Sequence, residues 1–277
     1  MQLPYGVRQE EADGHPVYVL EDLAARAEAW VVPGLGLNAY HFAVESGGHE
    51  VAIIDSPATL EELHQRPSGF GLPILFPFPG RVAYGRFAFR GQVYEIGKRA
   101  PTGHAIHGFV LDRPWQVIAA GSSEHDGAVL VGRFESRAFP ELASQYPSHF
   151  RLDVTFRLRA WTLSIETRAE NVGASLLPVG LGLHPYFRVP LHRSGSVGGC
   201  IIEVPVTREW GLAPDLIPTG RLIAPQEDLT RGVSLEGRRY DNVYTGVIRS
   251  PEGSRCVLAD TKAVSYTHLT LPTIYSV

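Results

Sequence analysis

The chain has 277 residues, 44% of them hydrophobic and 19% charged, a balance that excludes a disordered polymer or a chain dominated by membrane-spanning segments. A formal net charge of -4 provides no field that would gather phosphate backbones or anionic lipid, so nucleic acid and membrane are not expected partners and a small neutral ligand is. The opening segment, Met1 to Gly14, carries Arg8, Glu10, Glu11 and Asp13 without an apolar run, so it does not read as a secretory signal and the expected address is cytoplasmic.

Short stretches of period two, bounded by Gly, Pro or Asn, predict half-buried strands along most of the chain. The first candidates are Trp30 to Val32, Ala39 to Glu45 and Val51 to Ile54. Ala58 to Gln65, after Pro57 and with Leu60 and Leu63 three apart, is the one helical stretch, too short to organise a domain. Arg86 to Ile96 reads as a hairpin turning on Arg90-Gly91. Trp115 to Ala119 and Val129 to Glu135 follow. The clearest pattern is Phe150 to Ala169, where Leu152, Val154, Phe156 and Leu158 alternate with Arg151, Asp153, Thr155 and Arg157 before a turn near Ala160. Leu177 to Gly182, Ile201 to Val206 and Val243 to Ile248 complete the set. With no βαβ alternation, repeat or linker, the expectation is an all-β fold, a large antiparallel β-sandwich in one domain spanning residues 1–263. Cys200 and Cys256 lack metal-type spacing and are expected to be small buried or half-buried side chains.

Four polar clusters sit beside turn residues and aromatics rather than in plain strands. In Phe76-Pro77-Phe78-Pro79-Gly80-Arg81 the prolines stiffen a loop from which Arg81 projects, either toward a ligand or to a surface carboxylate. His104-Ala105-Ile106-His107-Gly108 has two histidines three apart but no further zinc ligands at suitable spacing, so no metal is expected; His107 reads as a structural histidine or a catalyst. In Gly182-Leu183-His184-Pro185-Tyr186-Phe187, His184 suits proton transfer to an oxygen or fills a slot between aromatics. In Tyr240-Asp241-Asn242-Val243, Asp241 caps a turn or accepts hydrogen bonds from ligand hydroxyls.

The order and spacing of the four clusters, with Gly85-Arg86-Phe87 after the arginine and Trp115 after His-Gly, resemble the aldose 1-epimerase (galactose mutarotase) family, the likeness running to about Asp260. The resemblance implies a galactose mutarotase-type β-sandwich that interconverts the α and β anomers of a hexose, a small-molecule sugar, with no metal and no organic cofactor. It implies His184 as general acid, His107 as an auxiliary histidine near the ring oxygen, and Arg81 and Asp241 as the hydroxyl-binding pair. Tyr186, Phe187 and Trp115 are candidates to pack against the sugar face or to fill the core.

The family's general base is a glutamate near the C-terminus, and after Asp241 this chain has only Glu252, in a Pro-Glu-Gly turn, and Asp260, read as a turn before a strand. Residues 264–277 carry no charge and also resemble translated adapter sequence. The expectation is that native sequence stops near Ala263 and that the base lies beyond it; the alternative is a divergent member whose tail forms a last strand. A relative acting on hexose 6-phosphates would need a second cation, for which Arg99, Arg113 and Arg188 are available, and a sugar-binding protein that has lost the base is the third reading.

Overall fold

The structure, a computed structural model, describes residues 3–261 and the backbone of residues 266–271. It divides into two compact units, residues 1–45 with 52–187 and residues 46–51 with 188–277.

In the first unit β1 (Tyr5–Ala12), β2 (His15–Asp22), β3 (Ala27–Val32) and β4 (Asn38–Ser46) form an antiparallel meander. The β1–β2 turn is Asp13-Gly14, both at positive φ (49° and 76°), which gives the tight reversal that suits twisted hairpins. After β5 (His49–Ala52) comes α1 (Leu60–Gln65), which starts two residues later than the pattern indicates because Thr59 is its cap. The Thr59 hydroxyl accepts from the Glu62 N–H at 3.1 Å, and the Ala58 N–H goes to the Glu62 carboxylate at 3.0 Å. Leu60 and Leu63 pack with Val17, Val19 and Tyr40.

Short pieces follow: β6 (Ile74–Leu75), β7 (Arg81–Val82), the hairpin of β8 (Arg86–Phe89) with β9 (Gln92–Glu95), and β10 (Ala105–Ile106). The second large sheet is β11 (Gln116–Ser123), β12 (Gly127–Glu135), β13 (Phe150–Arg159) and β14 (Thr162–Asn171), antiparallel in that order. It packs on the first, β12 against β1 and β2, and β13 against β2 and β3. Alternate residues of β13, from Phe150 through Leu152, Val154 and Phe156 to Leu158, are buried, each contributing about 1.5–3 kcal/mol by leaving water. The solvent face is cross-linked by ion pairs, Arg133 gripping Asp153 through two bonds of 2.7 Å directly across the strands. The Phe150 to Ala169 hairpin is therefore as its alternation indicates, turning at Ala160 (φ 52°).

Leu177 to Gly182 is not a strand. Only β15 (Gly182–Leu183) pairs, with β6; before it the chain runs irregularly, and the Gly180 N–H bonds to the Pro77 carbonyl at 2.6 Å.

The second unit holds β16 (Cys200–Glu203), β17 (Val206–Leu212), β18 (Pro218–Ile223), β19 (Val233–Ser234), β20 (Val243–Val247), β21 (Ser254–Asp260) and β22 (Tyr266–Leu271). They make two antiparallel sheets, β19-β16-β21-β22 and β18-β17-β20. The single strand expected over Ile201 to Val206 is broken at Val204-Pro205, where proline has no N–H to donate to a ladder, and its halves join different sheets. Asp260 ends β21 rather than forming a turn; it is buried and accepts from the His192 N–H at 3.0 Å. Cys200 is buried, Cys256 half-buried, and both are free. Within the 264–277 tail, residues 264–265 and 272–277 lie outside the described residues, while the backbone of 266–271 pairs with β21. Among the described residues no helix is long and apolar enough to cross a membrane.

Candidate functional site

Arg81 and His107 are carried by two segments that run side by side. Arg81 of β7 is registered against Ile106 of β10, Phe76 bridges Gly108, and the N–H groups of His107 and Phe109 bond to the carbonyls of Gly80 (3.0 Å) and Phe76 (2.8 Å). The backbones approach so closely that residue 108 has to be glycine: its φ is 75°, and a Cβ there would lie 2.1 Å from the Phe76 carbonyl oxygen. His107 is itself left-handed (φ 64°), a conformation unfavourable for a side-chain-bearing residue and held by these bonds. Beneath them Phe76 meets Phe150 edge-on at 4.9 Å and Phe78 meets Phe109 at 5.5 Å.

His184 follows β15 and is pinned to another irregular stretch. Its N–H bonds to the Pro73 carbonyl (3.0 Å), that of Tyr186 to Gly71 (2.8 Å), and the Tyr186 carbonyl accepts from Asp55 (2.8 Å). Pro79 lies over Gly180 and Gly182, where an added Cβ would come within 2.8 and 2.7 Å of its ring, so small residues let the arginine loop and the histidine strand meet. The stretch carrying Gly71 and Pro73 is clamped by Asn38, buried to 1% exposure. Its amide donates to the Phe70 carbonyl (3.1 Å) and accepts from the Leu72 N–H (2.8 Å). Asn38 bears no motif; its partners are more than thirty residues away, so nothing local marks it.

These segments bring His107 and His184 into edge-to-face contact, ring centroids 5.3 Å apart at 73°. The other face of His184 stacks on Tyr186 at 4.9 Å and 25°, and the Tyr186 hydroxyl is tied to the Ser68 carbonyl. His184 Nδ1 is shielded from solvent with no hydrogen-bond partner among the described residues. The ring of His107 is pushed down to a pKa of about 4, first by burial and then by the positive charges of His184, Arg81 and Lys98. It is neutral near pH 7. Its Nδ1 accepts from the Gly80 N–H at 3.3 Å, so the ring proton sits on Nε2, which is left as a donor. Arg81 is half-buried and has no ion-pair partner among the described residues.

The other candidates of the first unit serve its framework. His104 is buried, accepting from the Tyr84 N–H at 3.0 Å and meeting the Tyr84 ring edge-on, so it is structural. Among the described residues no group of three or more His, Cys, Asp or Glu is arranged to hold a metal ion. Trp115 fills the core, its indole N–H on the Val110 carbonyl (3.1 Å) and its ring against Phe134. Arg113 is committed to the Phe109 carbonyl, Glu141 and the Phe139 ring, and Arg99 bonds to the Ile96 carbonyl. Asp241 belongs to the second unit, exposed in the irregular stretch that leads into β20 rather than on the turn its Asp-Asn sequence suggests; Arg188 is in that unit too.

Fold and site together define the class: an antiparallel β-sandwich of the galactose mutarotase type bearing an imidazole pair on loops pinned by backbone bonds. The chain belongs to the aldose 1-epimerase family, whose model matches residues 32–270. Among curated relatives it is similar to the uncharacterized protein YihR of Escherichia coli K12, 28% identical over 175 residues, covering 62% of this chain and 53% of that protein. It is 32% identical to YphB of the same organism over 114 residues, 41% of this chain and 35% of YphB. The chain thus matches about half the length of one and a third of the other. Among solved structures, a galactose mutarotase-like protein from Clostridium acetobutylicum superposes with a TM-score of 0.82 at 22% identity, covering 92% of this chain and 78% of that one. Slr1438 from Synechocystis sp. PCC 6803 gives 0.66 at 27% identity, covering 91% and 75%.

Proposed function

We propose that this chain interconverts the α and β anomers of an aldohexose by acid–base ring opening. Ring opening requires a proton to be given to the ring oxygen and another removed from the anomeric hydroxyl; C1 then becomes an aldehyde that recloses from either face. The observation that carries this reading is the His107–His184 contact, in which one imidazole is held neutral as an Nε2 donor while the other lacks a partner at its buried Nδ1. Two imidazoles in contact do not both carry charge, so the pair divides the labour: His184 gives the proton to the ring oxygen and takes it back on reclosure, His107 donates a fixed hydrogen bond beside it, and the anomeric proton passes to solvent water. Arg81, free of a carboxylate, binds hydroxyls. Asp241, exposed in the irregular stretch before β20, is a carboxylate acceptor for sugar hydroxyls in this reading.

A second reading, a sugar-binding protein without catalysis, is favoured by the carboxylates after Asp241. Among the described residues these are Glu252, exposed in its turn, and Asp260, buried and already accepting from the His192 backbone; neither matches the strand-borne glutamate that the family uses as base. Exchange NMR on D-glucose and D-galactose anomers separates the two. Acceleration over buffer supports the epimerase reading, whereas saturable binding without acceleration supports the second. Neither binding nor acceleration of either sugar would remove both.

A further inference from the structure

Asp241 has no hydrogen-bond or ion-pair partner among the described residues, yet a carboxylate that recognises hydroxyls has to be held in place. The residue after it supplies the hold. The Asn242 side-chain amide donates to Glu209 Oε1 at 2.6 Å. Glu209 stands in the middle of β17, across from Tyr244 of β20 and Ile223 of β18, so it reaches the stretch before β20 from a strand paired on both sides. It is 5% exposed, and its second oxygen, Oε2, is shielded with no partner among the described residues. The Tyr240 hydroxyl, on the other side of Asp241 in sequence, is likewise shielded with no partner among the described residues.

A carboxylate buried with half its hydrogen-bonding capacity unused is a poor choice for stability alone, because an apolar side chain in a sheet centre would avoid that desolvation. Its return is a short, charge-assisted bond to the side chain that adjoins Asp241. We propose that Glu209 is a positioning residue: through Asn242 it fixes the irregular stretch that carries Asp241 in the geometry that receives sugar hydroxyls. The inference rests on the reading of Asp241 as a sugar-binding residue. Glu209 does not touch the sugar; it acts through Asn242, so removing either partner has the same consequence.

The test is titration calorimetry of the full chain with D-galactose and D-glucose, using Asp241→Ala, Glu209→Ala, Glu209→Gln, Asn242→Ala and the Glu209→Ala/Asn242→Ala double variant, each first checked by thermal melting. Glu209→Ala and Asn242→Ala are each expected to raise Kd by about tenfold, and the double variant by no more than either, because they break one bond. Glu209→Gln keeps an acceptor for the Asn242 amide and is expected to stay within about twofold of the parent. Multiplying effects in the double variant, or Glu209→Ala melting lower while binding normally when folded, would overturn the proposal and leave Asp241 untouched. If Asp241→Ala binds as the parent does, or the parent binds neither sugar, the reading of Asp241 falls and this inference with it.

Discussion

The sheet of β11 to β14 and the segments that carry His107 and His184 lie in the same unit but are built by different means. In the sheet, neighbours in sequence are neighbours in space: β13 turns at Ala160 into β14, and every second side chain enters the core. In the histidine segments the bonds span long separations, from Asn38 to Leu72, from Gly80 to His107 and from Gly71 to Tyr186. The sheet distributes its stability over many similar contacts, whereas the site concentrates its geometry in a few that have no substitute. One replacement should therefore cost little in the first region and much in the second.

The largest effect is expected at Gly108. Alanine there combines a left-handed φ with a backbone clash, so Gly108→Ala should cost about 4 kcal/mol or more in chemical denaturation, if it folds. Gly121 in β11 has open space around it and an ordinary φ, and Gly121→Ala should change stability by less than about 1 kcal/mol. Equal losses at the two would erase the contrast. Next is Asn38→Ala, which orphans the Leu72 N–H and the Phe70 carbonyl and should cost about 2–4 kcal/mol.

A graded effect should come from pH. Because the folded pKa of His107 lies near 4, below the 6.5 of an unfolded histidine, the unfolded chain binds the proton first as pH falls. The stability that this ring contributes is complete above about pH 6.5 and is lost as pH drops toward 4. Denaturation midpoints for the parent and His107→Gln over that window should converge as pH falls; parallel curves would show that His107 titrates normally. Smallest is the sheet's polar face: Arg157→Ala breaks an exposed pair with Glu166 and should cost less than about 1 kcal/mol.

The same contrast explains what could be read from the residues alone. Alternation exposes β12, β13 and β14, and Arg90-Gly91 marks its hairpin, because those signals are local. The β1–β2 hairpin escapes notice since Arg8, Glu10 and Glu11 obscure its alternation, although Asp13-Gly14 is a turn signal. Leu177 to Gly182 misleads because its alternating Val179 and Leu181 are exposed, while Gly180 and Gly182 hold the stretch irregularly against Pro77 and Pro79. His107, His184 and Arg81 stand out because their proline and glycine neighbours are unusual. The residues that hold the geometry, Asn38 and Glu209, carry no local mark, since each is defined by a partner more than thirty residues away.

The central claim is that the His107–His184 pair performs proton transfer to a sugar. It is tested most directly by the α–β exchange rate of D-galactose, measured by NMR near pH 7 with the parent chain, His184→Ala and buffer alone. The account predicts acceleration by the parent and a fall in kcat on the order of 10² to 10⁴ for His184→Ala, with KM little changed. Equal acceleration by parent and His184→Ala would contradict it.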